Sequence, residues 1–152
     1  MSFERIDPAP LFAKGPLFER SRLFELGRTF DPASADLAGV AIHRVLGRAD
    51  AGWWECELPA NSLSWTTGVY DIFGLPRGAR VTRADAVSLY CEESRAVLER
   101  LRDYAIEHGT AFILDARIRP ATGRATRWMR IVGAPLEEGG RTAGLYGLKL
   151  VL

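Results

Sequence analysis

The stretch AGWWECELPANSLSWTTGVYDIFG, residues 51–74, decides the fold. Trp54, Cys56 and Leu58 share one parity and Glu55 and Glu57 the other, the pattern of a half-buried strand. Pro59-Ala60-Asn61 turns the chain, and Ser62 to Trp65 reads as a second short strand, so the two form a hairpin. Thr66 then caps a short helix carrying Val69, Tyr70, Ile72 and Phe73, which Gly74 closes.

Downstream, Thr82 with Asp85 three residues on opens a brief helix as a capping box. A longer helix is predicted from about Glu92 to His108, with Val97, Leu101, Tyr104, Ala105 and His108 on one face. Glu92 and Glu93 sit at its positive end and Gly109 follows its last turn. Three strands are predicted over 110–119, 124–134 and 142–152, with turns at Thr122-Gly123 and at Glu138-Gly139-Gly140. Two strands, then helices, then three strands make an α+β chain with an antiparallel sheet.

Upstream the chain reads differently. Pro8, Pro10 and Gly15 punctuate an irregular arm. Pro16 opens a predicted helix over 17–26, which Gly27 closes. Asp31 and Pro32 supply an N-cap and first position for a helix over 33–46. Nine of those fourteen residues are apolar and spread nearly all round it, so that helix is expected to be buried on more than one side. Residues 1–50 thus form an arm with a helical cap, and 51–152 the domain proper.

Composition narrows the function. With 152 residues, 47% apolar and 26% charged, the chain has material for one globular domain. A net charge of +1 gives no general argument for nucleic acid or an anionic membrane. No apolar run approaches the roughly 20 residues of a membrane span. Met1 to Arg5 lacks a signal-peptide start, so a cytoplasmic location is expected. Cys56 and Cys91 read as free thiols, and His43 and His108 are too far apart in sequence to nucleate a metal site. No HExxH, CxxC, Walker loop or GxSxG occurs, which argues against a nucleophilic enzyme. Arginine outnumbers lysine 18 to 2.

Residues 52–150 resemble a PAS domain of the subclass with a Trp-rich first strand. The resemblance rests on Trp54; on Trp65-Thr66 before Tyr70-Asp71-Ile72-Phe73-Gly74; and on a long helix ending His108-Gly109. It continues through Asp115-Ala116-Arg117-Ile118, Pro120 and Gly123 to Arg127-Trp128, Gly133, Pro135, Gly140, Gly144 and Gly147. It implies a five-stranded antiparallel sheet with helices over one face, and a role in sensing, dimerisation or docking onto signalling partners. The flavin-binding branch carries Asn-Cys-Arg-Phe-Leu, which Tyr90-Cys91-Glu92-Glu93 does not match. The haem branch needs an axial histidine over the pocket, whereas His108 lies at a helix end that favours a cation. No cofactor is predicted, and neither haem nor flavin is expected.

The candidate residues fall into three groups. A cavity between sheet and helices is expected to involve Trp54, Cys56, Leu58, Tyr70, Phe73, Val97, Leu101, Phe112 and Leu114. Its few polar groups would suit an apolar or planar ligand. A dimer or partner surface is expected from Leu37, Val40, Ile42, Val45 and Leu46 on the N-terminal helix with Ile113 and Leu145 on the outer sheet face. Arg117, Arg119, Arg124, Arg127 and Arg130 make a basic stripe with no acid over 116–136, which reads as a solvated hairpin or a docking stripe for an acidic protein surface. The first functional expectation is a non-enzymatic adaptor that forms homodimers and docks onto a histidine kinase or another PAS-containing regulator. The alternative is a small-molecule sensor, and the remote one a small cone-shaped enzyme using Tyr70, Asp71 and Cys56. Neither nucleic acid nor a membrane is expected as a partner.

Overall fold

A computed structural model describes residues 27–34, 48–123 and 125–152. The predicted helix over 17–26, and that over 33–46 beyond Ser34, lie outside the described residues. So do His43, Arg124 and the proposed dimer residues Leu37, Val40, Ile42, Val45 and Leu46.

The chain forms β1 (Gly27–Phe30), a 3-10 turn (Pro32–Ser34), β2 (Ala51–Glu57), β3 (Ser62–Trp65), α1 (Thr67–Phe73), α2 (Arg83–Ser88), α3 (Glu92–His108), β4 (Ala111–Ile118), β5 (Arg127–Glu138) and β6 (Arg141–Val151). The strands make one antiparallel sheet in the order β1-β4-β5-β6-β2-β3.

The sheet therefore has six strands where five were expected. Gly27 opens β1, which pairs with β4 from Gly27 opposite Leu114 to Phe30 opposite Ala111. A Cβ at Gly27 would stand 2.6 Å from Leu101 Cδ1, so the glycine lets this edge strand slide under α3. Asp31 caps, its Oδ1 accepting the Ala33 N–H, at the start of the 3-10 turn.

The local signals downstream decide their own structure. Thr82 and Asp85 form the reciprocal capping box of α2, and Gly74 and Gly109 take left-handed backbone at the ends of α1 and α3. The α3 face turned to the sheet is centred on Ser94, Leu98 and Ala105, with Val97 and Leu101 on its flank. The Ser94 hydroxyl accepts the Arg117 N–H at 2.8 Å. The Cys91 N–H donates to Arg117 O and the Arg119 N–H to Leu89 O. The helical layer is thus tied to the edge of β4 by hydrogen bonds as well as by packing.

The sheet is buried on both faces. The inner face holds Trp54, Cys56, Phe112, Leu114, Met129, Ile131 and Leu145 against α1 to α3. The outer face holds Phe30, Ile113, Val132, Leu148 and Leu150, each fully buried.

Candidate functional site

The inner face is bare where β5 meets β6, because Gly133 and Gly147 pair there. The indole of Trp54 uses that space, its N–H shared between Val132 O at 3.2 Å and Leu148 O at 3.3 Å. A Cβ at Gly133 would meet the Phe112 ring at 2.6 Å. The same Cβ would stand 3.1 Å from Trp54 Cζ2, so Gly133 makes room for two aromatic rings side by side.

Next to Trp54 the sheet presents Lys149, flanked in sequence by Leu148 and Leu150 of the outer face. Alternation therefore turns its side chain inward, into the apolar layer. It is 5% exposed. Its Nζ lies 4.7 Å from the Phe73 ring centroid, 5.5 Å from Trp54 and Trp65, and 5.8 Å from Tyr90. The box is held by contacts among the rings themselves: Trp65 stacks on Phe73 at 5.2 Å, and Phe73 meets Tyr90 at 5.8 Å. Among the described residues no carboxylate pairs with this ammonium.

Burial pushes the Lys149 pKa down to about 7, partly offset by the Cys56 thiol nearby and aided by the Arg83 charge. The unfolded chain then binds more protons than the folded one between about pH 7 and 10.5, so stability rises with pH across that window. From pH 7 to pH 9 the gain is expected to be about 2 kcal/mol. Lys149→Met should abolish the slope; equal pH dependence of urea midpoints in the two proteins would refute this account.

The lysine opens onto a cavity of about 50 Å³ lined by Trp54, Cys56, Tyr90, Leu98, Phe112 and Leu145, with Arg83 and Arg102 at its helical side. Arg83 pairs with Glu99, and Arg102 donates to the side-chain oxygen of Asn61. The Tyr90 side chain is buried and its hydroxyl has no hydrogen-bond partner among the described residues. A surface groove of about 650 Å³, lined by Asn61, Tyr70, Arg80 and Thr82, shares Leu63, Trp65 and Arg83 with the cavity. The groove and the cavity therefore lie on either side of the same three side chains.

The expected cavity residues do not all converge. Trp54, Cys56 and Phe112 line the inner cavity, and Phe73 is in the aromatic box. Tyr70 faces the surface groove, where its hydroxyl donates to Ala79 O at 3.0 Å. Val97 and Leu114 line a separate groove of about 590 Å³ between α3 and β4. Leu101 packs into the core beside Gly27. Leu58 lies beyond the end of β2 and joins neither apolar cluster. The turn begins one residue earlier than the alternation implied.

Two outer-surface expectations are corrected. Leu145 lies opposite Cys56 and so faces the inner cavity, not a partner. Ile113 is on the outer face as expected, but fully buried within a single chain. In the basic stripe, Arg130 is buried in a bidentate pair with Asp115, at 2.8 and 3.1 Å. That acid stands one residue before the acid-free stretch and directly across the β4–β5 ladder. Arg117 and Arg119 are exposed and Arg127 half-buried.

The enzyme residues do not assemble either. Asp71 is exposed and held by Arg77 at 3.0 and 2.7 Å, and the hydrogen bond from Arg77 keeps its carboxyl below the usual range. Tyr70 and Cys56 line different spaces. Among the described residues no three His, Cys, Asp or Glu side chains gather as metal ligands. His108 lies exposed beside Tyr104, ring centroids 4.1 Å apart. Among the described residues no helix is long and apolar enough to cross a membrane.

Lys149 is not among the candidate residues, because the run Leu145 to Leu152 around it is mostly apolar. The signal was present: a lysine within an apolar run, in a chain where lysine is rare.

No protein-family model matches the chain, and no curated protein matches it. Its fold has solved counterparts. A sensory box histidine kinase/response regulator from Burkholderia thailandensis E264 superposes with a TM-score of 0.61 at 17% identity, over 73% of this chain and 83% of that one. The N-terminal domain of a diguanylate cyclase with a PAS/PAC sensor from Marinobacter aquaeolei gives 0.60 at 17% identity, over 66% and 94%. An RNA-binding light-oxygen-voltage receptor gives 0.60 at 12% identity over 68% of this chain, which spans only 29% of that receptor. The fold is that of PAS domains.

Proposed function

We propose that this PAS-fold chain is a non-enzymatic sensory module of a signalling pathway, and that a small molecule in the inner cavity sets its output. The observation that carries this reading is the buried, acid-free Lys149 in its aromatic box. A core selected for packing alone gains nothing from a buried ammonium, since an apolar residue of similar volume is as stable or more so. The cavity's volume of about 50 Å³ corresponds to roughly four water-sized spaces. A haem or an isoalloxazine ring system is several times larger, so the ligand is small.

The output would pass through protein contacts, as a homodimer acting on a histidine kinase or a comparable regulator. The histidine kinase among the structural counterparts supports that class of partner. The outer rim offers a contact point in Trp53 and Tyr146, half-buried with ring centroids 5.6 Å apart.

A native mass spectrum of the freshly purified protein tests both parts. A stoichiometric small adduct per chain supports sensing, and dimers support the assembly. An unliganded chain that no small-molecule panel stabilises against heat would overturn the sensor, and a monomer at micromolar concentration would overturn the homodimer.

A further inference from the structure

We propose that the inner cavity is a receptor site for a small monocarboxylate, its charge received by Lys149 and Tyr90 and its apolar part by Trp54, Leu98 and Phe112. This rests on the reading of the cavity as a ligand site and names the ligand class.

The argument begins with charge. Lys149, Arg83 and Arg102 line the cavity, and no acid does. Arg83 has Glu99 as counterion and Arg102 contacts Asp103 at 3.8 Å. Around Lys149 stand four aromatic rings and the Cys56 thiol, and the rings favour a cation without supplying an acceptor. An ammonium removed from water needs compensation, which a bound anion would provide.

The second observation is independent of the lysine. Tyr90 is 3% exposed and lines the same cavity, and its hydroxyl has no partner among the described residues. A buried hydroxyl is ordinarily hydrogen-bonded. Burial holds its pKa well above the usual phenol range, so at neutral pH it is a donor as well as an acceptor. An ammonium and a phenol at one cavity suit the two oxygens of a carboxylate.

Size and polarity narrow the class. The remaining walls are rings and aliphatic side chains, which disfavour phosphate, whose further oxygens would be left unsatisfied. About 50 Å³ admits a carboxylate with a short tail. The neighbouring surface groove bears Arg80 and Arg83, whose charges would concentrate anions beside the cavity. The choice of lysine also fits. In a chain with 18 arginines to 2 lysines, the buried position carries the cation that can shed its proton when no anion is present.

The test is calorimetric titration of the full chain at pH 6.5 with acetate, propionate and butyrate, with propionamide as the neutral isostere. One of the acids is expected to bind, and the amide to bind at least tenfold more weakly. Lys149→Met should weaken the acid roughly ten- to a hundred-fold, and Tyr90→Phe by a smaller factor, while the amide loses less than the acid in both, because it carries no charge. Lys149→Gln provides a second variant should the methionine protein misfold. If the amide binds as well as the acid, or the Lys149 variants keep the acid's affinity, the carboxylate assignment is wrong while the cavity remains a ligand site. If neither these compounds nor a broad set of neutral ones binds, both readings fail.

Discussion

Asp115→Ala is expected to lower folding stability by about 3–5 kcal/mol, the cost of breaking a buried ion pair from one side. Asp115 and Arg130 face each other across β4 and β5, with side-chain exposures of 0% and 1%. Two nearly parallel hydrogen bonds orient the pair. A substitution at either end takes these two hydrogen bonds from the other, within a face that includes the apolar Ile113, Val132 and Leu150. Urea unfolding reads the loss as a lowered midpoint with an unchanged slope. The double substitution Asp115→Leu with Arg130→Met is expected to recover most of it, because neither buried charge remains. A loss under about 1 kcal/mol in the single variant, the range of exposed pairs, would show that water reaches the pair.

Gly147→Ala is the second large effect, expected at about 3 kcal/mol or more, at or beyond the upper end of overpacking penalties. A Cβ at this position would stand 1.8 Å from Val132 O and 3.1 Å from Gly133 Cα. The obstacle is backbone, which a rotamer change cannot relieve. The shift needed would also disturb the two carbonyls that hold the Trp54 indole, so Trp54 fluorescence should change along with the midpoint. Gly139→Asn is the control: its added Cβ meets nothing within 4 Å at φ +58°, a conformation asparagine tolerates. Equal losses in the two variants would mean that crowding is not what Gly147 avoids.

Much of the domain was legible in its residues. The capping box at Thr82 and Asp85, the glycine stops at Gly74 and Gly109, and the alternation of Trp54, Cys56 and their acidic neighbours place α1 to α3 and the β2–β3 hairpin. The cavity was legible in part. Trp54, Cys56 and Phe112 follow from parity, but Tyr70, Val97 and Leu114 share their apolar character while facing other spaces. Nothing local distinguishes the two groups, since the tilt of a helix over a sheet decides which turn lies above the cavity.

What the sequence determined by itself was whatever nearest neighbours decide: caps, turns, periods, and hence an antiparallel α+β domain. Only the tertiary structure decided that Gly27 begins a sixth strand, because its partner Leu114 lies far along the chain. The same holds for Arg130, which pairs with Asp115 across a ladder instead of joining the arginines beside it at the surface. It holds most for Lys149. Its inward direction follows from the strand, but its burial and its lack of an acid depend on Phe73 and Tyr90 closing over it from the helical layer. Those contacts join segments remote in sequence, and only the folded chain brings them together.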